Sequence, residues 1–329
     1  MIGGYPKIEL HVHLEGTIRP PTLLDIARRN DISLPAQSVA ELTELYRFRD
    51  FAHFVEVLIL TTNVLRTATD CRQVVVDYAA EAAAYGAVYV EAIFSPIERV
   101  ARGLDWPELF EGYCDGIVEA RETHGVEVRL TPDIYRGCDP AAAEETARWA
   151  VRYRDRGVVG LGIGGLEADF PPEPYAGAFR IARDGGLGAV PHAGEAAGPD
   201  SIRATVDALG ADRIRHGIRA VEDPGLVAEL AARGTVLDVC PVSNLRTQVV
   251  PDLAVHPLPQ LIAAGVRCSL GTDDPAMFDT DLGREHAVAA DLGVDARDLY
   301  DAGVAGALCD EATRGRLATL GAAVDWSAA

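Results

Sequence analysis

Eight times along this chain a short run rich in Val, Ile and Leu precedes a segment with helical spacing, and this alternation constrains the fold most. The runs are Ile8–Leu14, Ala87–Ser95, Val126–Ile134, Val158–Gly165, Ala189–Gly194, Arg213–Ile218, Val236–Pro241 and Arg267–Thr272. Most are apolar on consecutive positions, as parallel strands covered on both faces should be. Between them lie Ala/Glu/Arg-rich stretches such as Arg72–Tyr85, Pro107–His124 and Ala141–Asp155. Gly often follows the helical pattern, at 86, 125, 157, 234 and 265, which suits helix ends that close in left-handed geometry. Eight β-then-α units on one chain predict an α/β fold, a (β/α)8 TIM barrel. With 329 residues, 48% of them hydrophobic, the chain can fill such a core as one domain spanning 1–329. Residues 15–86 are too long for an ordinary βα loop and are expected to form a helical excursion over the barrel mouth. Residues 284–325 are expected to form terminal helices.

The net charge of −20 disfavours binding to phosphate backbones or anionic membranes. No basic stretch followed by an apolar one opens the chain, and no apolar run approaches the ~18 residues that cross a bilayer. The six cysteines are scattered without a C-x-x-C pair. They read as small buried hydrophobes of a reducing cytosol, so a cytoplasmic location is expected.

Polar residues with metal chemistry gather where the expected strands end. His11-Val-His13 closes the first; its alternating side chains put both imidazoles on one face. His192-Ala-Gly-Glu195 ends the fifth, His216-Gly217 the sixth, and Gly271-Thr-Asp273-Asp274-Pro275 the eighth. Taken alone, each has an ordinary explanation: a hydrogen-bonded structural histidine, or an Asp-Pro turn. Jointly they place four of the eight histidines and a paired aspartate on one rim of one barrel, where such folds carry catalytic groups. Imidazole and carboxylate without thiolate suit zinc best, with iron, cobalt or manganese as alternatives. A bound metal would bring a coordinated water toward neutral pKa. Glu195 is then a candidate proton donor. His216 could hold and deprotonate the water, and Asp274 could orient water or substrate.

With these motifs, Lys7-Ile-Glu-Leu-His-Val-His-Leu-Glu-Gly-Thr17 and Cys240-Pro-Val-Ser-Asn244 make the chain resemble the adenosine deaminase family of the amidohydrolase superfamily, from about residue 5 to 310. The resemblance implies one zinc ion held by His11, His13, His192 and Asp273. It implies that Glu195 protonates N1 of an adenine ring while water activated at the metal attacks C6, positioned by His216 and Asp274. It places Glu15 against the sugar and the Gly165 backbone N–H against purine N3, with His13 and Asp274 also touching substrate. Binuclear members of the superfamily use a lysine at the end of strand 4. Lys7, the only lysine here, precedes strand 1, so a single metal is expected.

The amine removed is a finer question. Family members acting on adenosine carry Asp-Leu-Ala-Gly-Asp-Glu after strand 4, where this chain has Gly162-Ile-Gly-Gly165-Leu-Glu167. Together with Glu15, that pattern is most similar to deaminases of 6-amino-6-deoxyfutalosine in menaquinone biosynthesis; adenosine and adenine remain alternatives. That substrate is an adenine nucleoside carrying a benzoate. Removing side chains at Gly162 and Gly164 would open space for it, with Arg47, Arg49 or Arg136 gripping the carboxylate. Tyr46, Phe48, Phe51 and Phe54 would wall the pocket.

Overall fold

The computed structural model describes residues 4–47 and 51–328, with no side-chain description at 51, 52, 54, 55 and 328. Among the described residues, nine parallel strands build the barrel wall: β1 (Lys7–His13), β2 (Ala87–Phe94), β3 (Glu127–Tyr135), β4 (Gly160–Gly164), β5 (Gly188–Ala189), β6 (His192–Ala193), β7 (Arg213–His216), β8 (Val236–Val239) and β9 (Arg267–Leu270). They pair in sequence order, β1 to β5 and β6 to β9. The expected fifth strand is therefore two short ones. Pro191 has no N–H to give the ladder, although the stave still holds on both sides. The Val190 N–H donates to Leu161 O and the Pro191 carbonyl accepts from Arg215 N, both at 2.9 Å.

The barrel closes through β1 and the residues after β9. His13 N–H donates to Asp273 O at 2.7 Å and Asp273 N–H to His11 O at 3.1 Å. That approach needs Gly271, because a Cβ there would stand 2.4 Å from His11 O. Closure thus depends on the same residues that carry the polar cluster, and the (β/α)8 barrel places that cluster at the C-terminal rim.

The 15–86 stretch is helical as expected, but it divides. Helices Pro20–Arg29, Val39–Leu45 and Phe51–Thr62 follow the 3-10 turn Leu14–Thr17, while Ala68–Ala84 packs against Trp106–His124 in the outer ring. Two of these helices begin with reciprocal capping boxes, Ser38 with Glu41 and Thr67 with Asp70. Helices Leu282–Asp291, Ala296–Gly306 and Glu311–Ala322 end the chain. Gly125 and Gly234 cap their helices at φ 71° and 69°, as the sequence pattern predicts. Among the described residues, no helix is long and apolar enough to cross a membrane.

Candidate active site

The strand ends deliver four donor atoms to one point. His11 Nε2 lies 3.1 Å from His192 Nε2 and 3.4 Å from Asp273 Oδ1. His13 Nε2 lies 3.2 Å from His192 Nε2 and 3.3 Å from the same Asp273 oxygen. Ligands about 2.0–2.1 Å from a tetrahedral zinc stand roughly 3.3 Å from one another, so these four separations are edges of such a shell.

The protonation pattern suits a cation there. His11 Nδ1 donates to the Asp238 carbonyl at 3.2 Å and His192 Nδ1 to the Ile163 carbonyl at 2.9 Å. A neutral imidazole has one N–H; both Nε2 atoms are therefore lone pairs, facing each other across 3.1 Å. Burial keeps the rings neutral, lowering His11 to about 4, His13 to about 3 and His192 well below the ordinary value. Asp273 supplies the negative charge. Burial would raise its pKa, but the adjacent imidazoles, His11 first, hold it well below the usual range, and Ser243 Oγ donates to its Oδ2 at 2.6 Å. The donors fit a divalent cation.

Backbone geometry aims two of these groups. His216 and Asp273 both sit in the left-handed region, at φ 62°, which costs a non-glycine residue about 1–3 kcal/mol. Arg213 and Arg215, two apart on β7, both make ion pairs in the barrel interior. Strict alternation would turn the next side chain away, and the left-handed turn brings His216 back to the rim. Its Nε2 lies 3.5 Å from Glu195 Oε2 and 3.8 Å from Asp273 Oδ2. By closeness of donor atoms alone, His11, His192, His216 and Asp273 form one group within 4.8 Å, and His13, Asp273 and Asp274 another. The shorter contacts of His13 to both His192 and Asp273 favour it over His216 in the shell.

The acids are set apart by environment. Glu195 is raised by burial, a rise the His216 charge opposes. Asp274 is raised well above its ordinary value by burial and by the charges of Asp273, Glu15 and Glu195. Glu15 accepts from Ser95 N–H at 2.8 Å through Oε1, while its buried Oε2 has no partner. Its carboxyl is raised by burial against the pull of Arg99. The turn brings Gly16 so close to Asp274 that a Cβ would lie 2.0 Å from its Oδ1. Gly165 is exposed at the rim.

Three expectations need correcting. The space opened by Gly162 is filled: a Cβ there would stand 2.1 Å from Asp133 Oδ1 and 2.4 Å from an Arg215 guanidinium nitrogen. An ion pair, not substrate room, replaces the missing aspartate, and Asp133 Oδ2 sits 3.3 Å from His192 Nδ1. Arg136 is fully buried, with its terminal nitrogens donating to Phe170 O and His192 O, so it cannot grip a carboxylate. Arg47 pairs with Glu44 in solvent, and Tyr46 is core, donating to Ile18 O. Phe48 and Arg49 lie outside the described residues, as do the side chains of Phe51 and Phe54. Lys7 is at the opposite end of the barrel, donating to Tyr85 O at 2.9 Å.

Sequence reasoning missed Glu167. Its carboxylate accepts from the N–H groups of Gly194, Glu195, Ala196 and Ala197 and from Ser201 Oγ, fixing the loop that carries Glu195. The signal was an acidic residue just past a Gly-Gly strand end.

The adenosine deaminase family model matches residues 6–320. The chain belongs to the adenosine deaminase family. It is 59% identical to an aminodeoxyfutalosine deaminase of Acidothermus cellulolyticus, over 99% of this chain and 93% of that one. An adenine deaminase of Chelativorans sp. is 39% identical, over 94% and 96%. Among solved structures, an adenine deaminase from Arthrobacter aurescens superposes with a TM-score of 0.91 at 29% identity, covering 98% of this chain and all of that one. An amidohydrolase from B. ambifaria with bound Zn gives 0.87 at 28%, covering 98% and 90%. In this family member the rim cluster is a divalent-metal site.

Proposed function

We propose that this deaminase hydrolyses 6-amino-6-deoxyfutalosine to futalosine and ammonia, using one zinc ion held by His11, His13, His192 and Asp273. The observation that carries the substrate is the 59% identity, over nearly the full length of both chains, to a relative of that name. At 37–39% identity, relatives named for either substrate occur together and do not discriminate.

Zinc bound there supplies a Lewis acid that brings a coordinated water toward neutral pKa. Glu195 enters the reaction as the acid, and burial raises its carboxyl above its ordinary value. It gives its proton to N1 of the purine, which makes C6 electrophilic. His216 and Asp274 would hold the water, and the Glu15 oxygen without a partner is free to accept from a ribose hydroxyl. Water adds at C6, one of its protons passes to the exocyclic nitrogen, the C6–N bond breaks to release ammonia, and the remaining hydroxyl proton returns to Glu195 as the C6 carbonyl forms. Tyr135 ends β3, and Leu166 and Phe170 follow β4; all three are exposed. They offer an apolar shelf for an aryl group beyond the sugar.

The test is kcat/KM for 6-amino-6-deoxyfutalosine, adenosine and adenine on zinc-loaded protein, with ammonia release as the readout. Preference for adenosine or adenine would overturn the substrate. The adenine reading has its own support in the high superposition on an adenine deaminase.

A further inference from the structure

A chain of hydrogen bonds leads out of the site from the far nitrogen of His216. His216 Nδ1 lies 3.3 Å from Asn244 Nδ2, and Asn244 Oδ1 lies 3.1 Å from His256 Nε2. His256 Nδ1 lies 3.1 Å from the backbone nitrogen of Leu258. All three side chains are buried, with His256 at 4% exposure and Asn244 at 0%.

The directions in this chain are not free, because its last member is a backbone N–H. A main-chain amide can only donate, so His256 Nδ1 must be an acceptor. A neutral imidazole whose Nδ1 accepts carries its proton on Nε2, which therefore donates to Asn244 Oδ1. With that oxygen committed, the amide presents N–H to His216. Reversing the Asn244 amide would set its NH2 against the His256 N–H, donor against donor, in a buried place where a stranded donor is costly. His216 Nδ1 is thus held as an acceptor, and its proton sits on Nε2.

We propose that Asn244 and His256 are positioning residues that lock His216 as the Nε2–H tautomer, so that it acts in the site as a hydrogen-bond donor and neither binds the metal nor takes the proton of the attacking water. This separates His216 from His11 and His192, whose Nδ1 atoms donate to carbonyls and whose Nε2 lone pairs face each other. The opposite tautomers are set by opposite partners on the outer nitrogen. The inference rests on the proposed reading that His216 faces the attacking water.

The experiment is long-range 1H–15N correlation of the imidazoles in zinc-loaded protein labelled with 15N-histidine, His216 being assigned by the signal missing in H216Q. The wild-type spectrum should show His216 with a protonated-type Nε2 and an unprotonated-type Nδ1; the reverse pattern, or both protonated, overturns the proposal without any further variant. Asn244→Asp offers acceptors on both sides, so His216 should gain Nδ1–H. Its kcat should fall on the order of 10²-fold with KM within about threefold and zinc content unchanged. An N244D protein that keeps both Nε2–H and wild-type kcat overturns it as well. His256→Gln retains a donor to Asn244 and should keep the tautomer, whereas His256→Leu should let His216 populate both. Should the protein turn over no aminopurine while the spectrum shows Nε2–H, the proposed function falls and the relay stands.

Discussion

Replacing Glu167 by Gln exchanges one oxygen for an NH2 group at the anchor of the catalytic loop. Glu167 Oε1 accepts from Gly194 N–H at 2.5 Å and Ser201 Oγ at 2.6 Å, while Oε2 accepts from the N–H groups of Glu195, Ala196 and Ala197 at 3.1, 3.0 and 3.0 Å. The amide nitrogen does least harm in the Oε1 place, because the Ser201 hydroxyl can turn and accept. Gly194 N–H then opposes an NH2 and is stranded, at about 1–3 kcal/mol. The three remaining N–H groups exchange an ionised acceptor for a neutral one, each weaker by roughly half to one kcal/mol. The total is about 2.5–6 kcal/mol. Unfolding entropy of about 2.1 cal/mol/K per residue over 329 residues gives about 0.7 kcal/mol/K, so Tm should fall by about 4–9 °C.

Activity should fall further than stability alone explains, since the Glu195 backbone N–H is one of the weakened donors. We expect kcat of zinc-loaded Glu167→Gln to drop on the order of 10–100-fold, with KM changing less. The assay pairs thermal unfolding with steady-state ammonia release well below Tm. A Tm within 1 °C of wild type and kcat within twofold would refute the claim that Glu167 holds the loop.

The remaining predictions address other parts of the molecule. Glu195→Gln should lose about 10²–10⁴-fold in kcat while keeping its zinc by metal analysis; loss of the metal instead would make Glu195 a ligand. Gly162→Ala forces a Cβ to 2.1 Å from Asp133 Oδ1 and should cost about 1–3 kcal/mol or more in chemical denaturation; a neutral effect would mean the Asp133–Arg215 pair is not fixed. Burial lifts Glu285 to about 8 and Glu9 to about 7. Both bind protons more tightly folded than unfolded, so their contribution is fully present below the unfolded pKa near 4.5 and is lost as pH rises through 7 to 8. Glu285→Gln should flatten that decline in denaturant midpoints between pH 5 and 8, and an unchanged slope would count against it.

The barrel and its rim were legible because they rest on short-range rules. Consecutive apolar residues mark buried parallel strands, and strand ends in such a barrel share one face, so His11, His13, His192, His216, Glu195, Asp273 and Asp274 could be grouped before their distances were known. What escaped depends on contacts between remote segments. Nothing local to Gly162 says that Asp133, on the neighbouring strand, fills its space. Nothing local to Glu167 says that four backbone amides thirty residues on will turn toward it. Arg136 looked free because arginine usually is; only the fold shows its guanidinium committed to Phe170 O and His192 O. Pro191 was visible, but that a proline would interrupt a strand without breaking the stave depends on both neighbours.

The Arg-Ile-Arg-His sequence of β7 makes sense only when the layer beneath the metal is included. Two arginines two positions apart enter the barrel interior from one strand, which is expensive without partners. Arg213 meets Glu91 and Asp238, and Arg215 meets Asp133 and Thr131. Buried pairs like these contribute little net stability against a well-packed apolar core, so their value lies in what they hold. Asp238, clamped by Arg213 and by Ser269 at 2.8 Å, belongs to the residue whose carbonyl orients His11. Asp133, clamped by Arg215, stands 3.3 Å from the Nδ1 of His192. One strand thus stiffens the supports of two metal-site histidines and, one residue later, turns through a left-handed φ to supply His216. A charged layer is a poor way to stabilise a barrel. It is an effective way to keep lone pairs aimed at one point.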